Sequence, residues 1–338
     1  MKGVSVIICC YNSALRVIQT LQHLAGQKTN DLAWELIVVD NNCTDNTVQL
    51  LVEFSRIHPN LPLKIVKEPI SGLSHARKRG VHDSTFEIII FCDDDNWLAN
   101  DYVSNAYNLM NSDDSIGILG GNIKAEFDGE EPVWFGEYAG GYAIGEQAKP
   151  NAQTLEDRKW VFGAGTVIRK ELFAHLKSNS IELLLTGRKG NKLLAGDDSE
   201  LCSIAILLGY RVAASSSLNL KHFIPANRLN LDYARNLYKG FGASLLVLDA
   251  YEHVINKKQE AEHIDWLARI WYYARLISPK QLLLSVFYPS TREKFFNKAY
   301  VIMSLSALRS LISGRSLFFA SSEQAFSIQK RNGGTDKQ

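Results

Sequence analysis

The stretch "IIIFCDDDNWL", Ile88 to Leu98, is the place to start reading this chain. Five apolar, strand-forming residues end abruptly in Asp93, Asp94 and Asp95. A continuous apolar run of this length fits a strand buried on both faces. Three adjacent carboxylates repel one another, so the turn that follows holds charge for which an ordinary loop has no use.

Working outward, the first half of the chain repeats the pattern. "VSVIICC" (Val4 to Cys10), "WELIVVD" (Trp34 to Asp40) and "LKIVKE" (Leu63 to Glu68) are further strands, and "FEIIIFC" (Phe86 to Cys92) completes the run quoted above. Between them lie helical segments. Ser13 to Ala25 carries Leu15, Ile18, Leu21 and Leu24 at helical spacing, "CTDNTVQLLVEFSRI" opens on capping residues, and Gly72 to Val81 is a short helix. Alternating apolar strands and helices predict an α/β fold with a mostly parallel central sheet and helices on both faces.

The rhythm changes after Ser115. "IGILGGNIKAEF" and "WVFGAGTVIRKELF" suggest strands, separated by the Gly-rich and aromatic "EEPVWFGEYAGGYAIGEQ", which reads as a loop. "GDDSELCSIAILLGYRV" returns to a helix and a short strand. Beyond Lys221 the segments 230–256, 261–277 and 291–313 have helical patterns, and the last twenty or so residues are polar and expected to fray. The expected organisation is an α/β catalytic domain over 1–229, a helical C-terminal region over 230–325 and a disordered tail over 326–338.

A formal net charge of +1 over 338 residues gives no support to nucleic-acid binding. None of the five cysteines forms a CxxC pair, so they read as small core hydrophobes in a reducing compartment, not as disulfides or zinc ligands. The N-terminus enters a strand at once and shows no signal peptide, and no uncharged stretch is long enough for a spanning helix. A cytoplasmic protein is the expectation.

Ligands of open parallel α/β sheets bind at the carboxyl ends of the strands. Tyr11 and Asn12 end the first strand, Asp40, Asn41 and Asn42 the second, and Asp93 to Asp95 the fourth, so all three sets are expected on one edge. Clustered carboxylates suit a hard cation, Mg²⁺ or Mn²⁺, with substrate phosphates filling the remaining positions. The alternative for the aspartates is a solvated turn. In "GDDSEL", Asp197 and Glu200 have capping-box spacing, and Asp198 either complements the helix dipole or faces the cleft as a general base.

With these motifs in view, the chain resembles a family 2 glycosyltransferase of the GT-A fold, a Rossmann-like α/β architecture. The resemblance rests on "VSVIICCYNSA", "ELIVVDNNCTDNT", "GLSHARKRG", "IIIFCDDDNWL" and "GDDSEL" in the family's order, covering roughly residues 1–230. It implies that Tyr11 lies against a nucleotide base, that Asn12 shapes that end of the site, that Asp40 accepts a hydrogen bond from the base, and that Arg77 reaches the same nucleotide. Asp93 and Asp95 match the outer acids of the family's DXD region, with Asp95 as direct metal ligand and Asp94 against the ribose. Asp198 falls where the family places its catalytic base, with Asp197 as a rival because it stands where Glu is commoner. His222 falls near the metal or diphosphate, with Arg228 close behind. Each of these two has a plain structural alternative, as a satisfied strand-end histidine and a surface cation.

The implied activity is inverting, metal-assisted transfer of one sugar from a nucleoside-diphosphate sugar, UDP-sugar favoured, to a hydroxyl of a glycan or lipid-linked acceptor in cell-surface polysaccharide assembly. The tryptophan motif of processive synthases is not evident. Competing readings are a sugar-phosphate nucleotidyltransferase and a non-catalytic nucleotide-sugar-binding protein. The first should carry a glycine-rich basic loop where this chain has "CCYNSALR", and a P-loop ATPase lacks its motif altogether. Trp134, Phe135, Tyr138 and Tyr142 could stack on sugars or fill a core. The apolar and basic stretch from Lys280 to Phe319, helical in pattern over Phe295 to Ile312, could lie on an anionic membrane surface or pack on the rest of the protein.

Overall fold

In the computed structural model, which describes residues 1–150, 154–187, 195–257, 265–277 and 291–333, the chain divides into two compact units. The first comprises Met1–Glu126, Ala143–Glu182 and Tyr210–Ile224. The second comprises Phe127–Tyr142, Leu183–Gly209 and Pro225–Gln338. Two stretches that precede residue 229, the expected boundary, thus belong to the second unit.

The first unit is built on β1 (Val4–Cys10). Its residues are almost all buried, as an uninterrupted apolar run requires of a central strand. β2 (Trp34–Asp40) and β4 (Ile88–Phe91) flank it, both parallel, and β3 (Leu63–Lys67) lies parallel beyond β2. Beyond β4, β8 (Val167–Arg169) runs antiparallel both to β4 and to β6 (Ile116–Phe127), the long β9 (Arg211–Ile224) follows β6, and β5 (Asn96–Leu98) closes the order antiparallel to β9. The short β7 (Glu156–Asp157) pairs with β9 off this path. Helices Val17–Ala25 and Tyr102–Ser112 bury Leu21, Leu24, Val103 and Met110 in the core that contains Val6, Ile8, Leu36 and Ile90. Burying each such side chain stabilises the fold by about 1.5–3 kcal/mol. The expected α/β sheet is therefore present. β9 is longer than the short strand predicted near "YRV", and β5 was hidden behind the aspartates.

The second unit is largely helical. It contains helices Asp197–Leu207, Leu231–Lys257, Trp266–Leu276, Thr291–Ser313 and Arg315–Gly333. Buried Ala299, Val301, Ala307 and Leu311 form the packed face of Thr291–Ser313, while Ile312 is exposed. The Trp266 indole N–H donates to Leu311 O, and the Tyr273 hydroxyl donates to the buried Asp249 carboxylate. Helix Arg315–Gly333 corrects the expectation of a frayed tail from residue 326. Phe318, Ala325 and Ile328 are buried on one side, and seven-residue and three-residue spacing across a polar sequence is enough for a packed helix. Residues 334–338, and Lys280 to Ser290 of the apolar and basic stretch, lie outside the described residues.

"EEPVWFGEYAGGY" is not a bare loop. It forms a short helix, Phe135–Tyr138, and a 3₁₀ turn, Ala139–Tyr142. Phe135, Tyr138 and Tyr142 are buried, Tyr138 edge-on to Tyr238 and Tyr142 against Tyr233. These three side chains fill a core. Among the described residues no helix is long and apolar enough to cross a membrane.

Candidate active site

The strand register gathers the expected residues of the first unit. Cys10 pairs with Asp40, and Ile7 with Phe91, so Tyr11, Asn12, Asp40 and Asp93 follow the carboxyl ends of three adjacent parallel strands. Backbone and side-chain bonds stitch this edge together. Asn12 adopts a left-handed backbone (φ 52°), a conformation asparagine tolerates, and its Oδ1 accepts from the Thr44 N–H at 2.8 Å. The Ser13 N–H donates to Thr47 Oγ1 at 2.8 Å. Asp40 Oδ1 accepts from the Cys43 N–H at 2.9 Å. Tyr11 is left 57% exposed, so its ring offers an open aromatic surface at this edge.

Asn41 and Asn42, expected on this edge from the sequence but given no role there, shape it. Asn41 is buried and donates to Glu68 O and Ile70 O while accepting from the Gly72 N–H. Asn42 donates to Pro69 O and Ser71 Oγ. Together they fix the loop that leads into helix Leu73–Asp83, which carries Arg77. The Arg77 guanidinium lies 5.0 Å from the centroid of the Phe91 ring. Desolvation pushes the Cys9 thiol up to about 12, Arg77 opposing and Asp93 and Asp94 reinforcing. Charges of both signs therefore surround the end of β1, and Cys9 is held as a neutral thiol.

The aspartate turn is not a solvated one. Asp94 and Asp95 are 8% and 3% exposed, and a carboxylate that deep needs a partner. Asp94 has Arg16, whose Nη2 donates to Oδ2 at 2.7 Å and whose Nε donates to Oδ1 at 3.3 Å. Burial and the neighbouring Asp95 still push the Asp94 carboxyl above its ordinary value, against the pull of Arg16. Asp95 has His222, the two held by the antiparallel pairing of β5 with β9, with His222 Nε2 3.3 Å from Asp95 Oδ1. Asn96 tightens the turn, its Oδ1 accepting from the Asp93 N–H and its Nδ2 donating to Asp95 Oδ1.

Among the described residues no three acidic, histidine or cysteine side chains form a ready-made cation cage. The buried carboxylate and imidazole of Asp95 and His222, with Asp93 two residues away, are a partial donor set. Such a set fits Mg²⁺ or Mn²⁺ of the kind that completes its coordination with substrate phosphates and water.

The remaining candidates belong to the second unit. Asp197 and Asp198 occupy the first turn of helix Asp197–Leu207, after Gly196 at φ 97°. Gly196, not Asp197, is the N-cap residue, and the Glu200 carboxylate is bonded elsewhere, so the expected Asp197–Glu200 capping box is not formed. Glu200 instead turns inward, where its carboxylate accepts from the N–H groups of Leu184 and Leu185 and from the Tyr251 hydroxyl. Burial pushes it up to about 7 against those three donors. Arg228 ends a short 3₁₀ turn, and its carbonyl accepts from the Tyr142 hydroxyl at 2.8 Å.

Comparison with known proteins places this arrangement. The sequence model of "Glycosyl transferase family 2" matches residues 5–176. Curated relatives include glycosyltransferase AglE of Haloferax volcanii, 28% identical over 121 residues, which are 36% of this chain and 39% of that protein. They also include the poly(ribitol-phosphate) beta-N-acetylglucosaminyltransferase TarP of Staphylococcus aureus, 26% identical over 36% of each chain. The match thus spans less than two fifths of either relative's length. Among solved structures, the mannosyltransferase PcManGT of Pyrobaculum calidifontis, in complex with GDP-Man and Mn2+, superposes with a TM-score of 0.58 at 17% identity, covering 92% of this chain and 87% of that one. Residues 1–349 of S. aureus TarS in complex with UDP give a TM-score of 0.52 at 18% identity, over 98% and 92%. These likenesses show a shared GT-A fold, and the family match runs through the strands that carry Asn12, Asp40 and the aspartate turn. The chain belongs to family 2 of the glycosyl transferases.

Proposed function

We propose that this protein moves one sugar from a nucleoside-diphosphate sugar, with UDP as the favoured nucleotide, to a hydroxyl of a glycan or lipid-linked acceptor, inverting the anomeric carbon, in cell-surface polysaccharide assembly. The observation that carries this reading is the convergence of Tyr11, Asn12, Asp40 and the paired aspartate turn on one sheet edge. The exposed Tyr11 ring stacks on the base, Asp40 accepts a hydrogen bond from it, and Asn12 and Arg77 complete the nucleotide end. Asp94, oriented by Arg16, faces the ribose.

Asp95, His222 and Asp93 would hold Mg²⁺ or Mn²⁺, which would supply positive charge to offset that of the diphosphate leaving group. Asp198 accepts the proton of the acceptor hydroxyl. That oxygen forms the new bond to the anomeric carbon on one face as the bond to the diphosphate oxygen breaks on the other, its electron pair departing with the nucleotide. Relatives whose names and structures involve N-acetylglucosaminyl transfer, UDP, GDP-Man and Mn2+ support the donor class and the cation. Helix Trp266–Leu276, exposing Leu267, Trp271 and Tyr272 with Arg275 over the Trp271 ring, supports a peripheral membrane contact on the cytoplasmic face.

The test is calorimetric titration of UDP and of GDP, with and without Mn²⁺, on the wild type and Asp95→Ala. Mn²⁺-dependent binding of one nucleotide, lost in the variant, is expected. A folded wild type that binds neither nucleotide would overturn the proposal.

A further inference from the structure

Glu200 has the sequence position of a capping residue and a different use. It is fully buried. Its Oε1 accepts from the Leu184 N–H at 3.0 Å and from the Tyr251 hydroxyl at 3.1 Å, and its Oε2 accepts from the Leu185 N–H at 2.7 Å. The Tyr251 oxygen accepts in turn from Gln324 Nε2 at 2.6 Å. One carboxylate therefore joins the segment around Leu184, helix Leu231–Lys257 and helix Arg315–Gly333 to the first turn of helix Asp197–Leu207.

Leu184 and Leu185 lie in neither helix nor strand. Glu200 gives their N–H groups the acceptors that regular structure would otherwise provide. The segment then closes on the acidic turn. Gly187, at φ +67°, passes so near Asp197 that a Cβ there would stand 3.0 Å from Oδ2 and 3.1 Å from Cγ. A Cβ on Gly196 would stand 3.1 Å from Leu185 Cδ1. The Asp197 carboxyl packs against the backbone of this strap.

A buried carboxylate is a poor device for mere cohesion, since apolar residues of similar volume often hold helices together as well or better. What it adds is direction: two consecutive N–H groups are aimed at two oxygens, which fixes the strap over the turn. We infer that Glu200 is a positioning residue that locks the Leu184–Gly187 strap onto the first turn of helix Asp197–Leu207, takes Asp197 into that contact and thereby sets Asp198 for proton transfer. The last step rests on the proposed sugar transfer; the strap does not.

Two readouts on the full chain keep these apart. Amide hydrogen exchange is followed by mass spectrometry in the wild type, Glu200→Gln and Tyr251→Phe. Nucleotide release, with water as acceptor and Mn²⁺ present, is followed from UDP-GlcNAc, UDP-glucose, UDP-galactose and GDP-mannose. Peptides spanning 183–187 are expected to exchange at least tenfold faster in Glu200→Gln while helix Leu231–Lys257 keeps its protection. The same variant should lose at least tenfold in kcat at an unchanged donor KM, a split that general destabilisation would not produce. Tyr251→Phe, which removes one donor, should move both readouts the same way by less, and decides the matter if Glu200→Gln does not fold. Unchanged exchange in the folded variants would overturn the strap. A loosened strap with undiminished kcat would overturn the positioning role. No release by the wild type would count against sugar transfer and the role assigned to Asp198, with the strap still judged by exchange alone.

Discussion

Arg16, at the start of the first helix of the sheet unit, holds both carboxylate oxygens of Asp94, the middle acid of the aspartate turn. The pair separates the three acids by environment. Asp94 is neutralised from within the protein, and Asp95 faces the His222 imidazole. Arg16 offsets part of the repulsion that Asp95 exerts on Asp94, and both of these carboxylates stay buried.

Removing the cation of that pair should leave a buried carboxylate uncompensated. Arg16→Met is expected to destabilise the protein by roughly 3 kcal/mol, as broken buried pairs do. Adding Asp94→Asn should restore part of the loss, because the remaining partner then carries no charge. Urea unfolding of the two single variants and the double variant measures the coupling. Single losses that simply add would mean that the Arg16–Asp94 contact is incidental.

Much of this was legible because it is local. Apolar runs named β1, β2 and β4, and the polar residues at their ends named Asn12, Asp40 and the aspartates, since a buried strand must emerge into something that tolerates water or ligand. What could not be read depends on distance in sequence. Arg16 lies 78 positions from Asp94, and no pattern near either residue joins them. Glu200 has correct capping spacing, yet burial and the Leu184 and Leu185 amides outcompete the local bond. Asn41 and Asn42 look like turn residues but serve as a clamp on residues 68–72, which only the β2–β3 pairing brings within reach. Helix Arg315–Gly333 is polar by composition and ordered by the few apolar side chains it buries.

Asp198 and Asp197 are adjacent, and their substitution separates their roles. Asp198→Asn should lower kcat for sugar transfer at least about a hundredfold while UDP binding persists, the scale of a lost general base. Asp197→Asn should cost clearly less, because that carboxyl packs on the Gly187 backbone. Steady-state kinetics beside nucleotide titration decides, and the reverse order would move the base to Asp197.

Gly80 tests how the Arg77 helix is seated. A Cβ at this position would overlap Ile7 Cγ2 in β1 and approach Val39 Cγ2 in β2 at 3.4 Å. Helix Leu73–Asp83 therefore lies directly on the sheet at this point. Gly80→Ala should lose about 1–3 kcal/mol through overpacking, despite alanine's better helix propensity. It should also weaken nucleotide binding, since Arg77 precedes Gly80 by less than one turn. A variant as stable as the wild type on thermal unfolding would show that the sheet yields there.

Two buried acids of the helical unit give stability a pH dependence whose sign is fixed. Burial raises Glu200 from 4.5 to about 7 and Asp249 from 3.8 to about 6, in each case against the hydrogen bonds it accepts. Between its ordinary and raised values each group is protonated when folded and ionised when unfolded, so folding takes up protons there. Stability from Glu200 is then fully present below pH 4.5 and lost as pH rises to about 7, and that from Asp249 is lost between 3.8 and about 6. Each window amounts to about 3 kcal/mol at 1.36 kcal/mol per pH unit. Denaturant unfolding at a series of pH values should show a decline through these windows that flattens in Glu200→Gln at its upper end and in Asp249→Asn at its lower end. An unaltered slope in Glu200→Gln would mean that the three donors around that carboxylate keep it ionised in the folded protein, outweighing its burial.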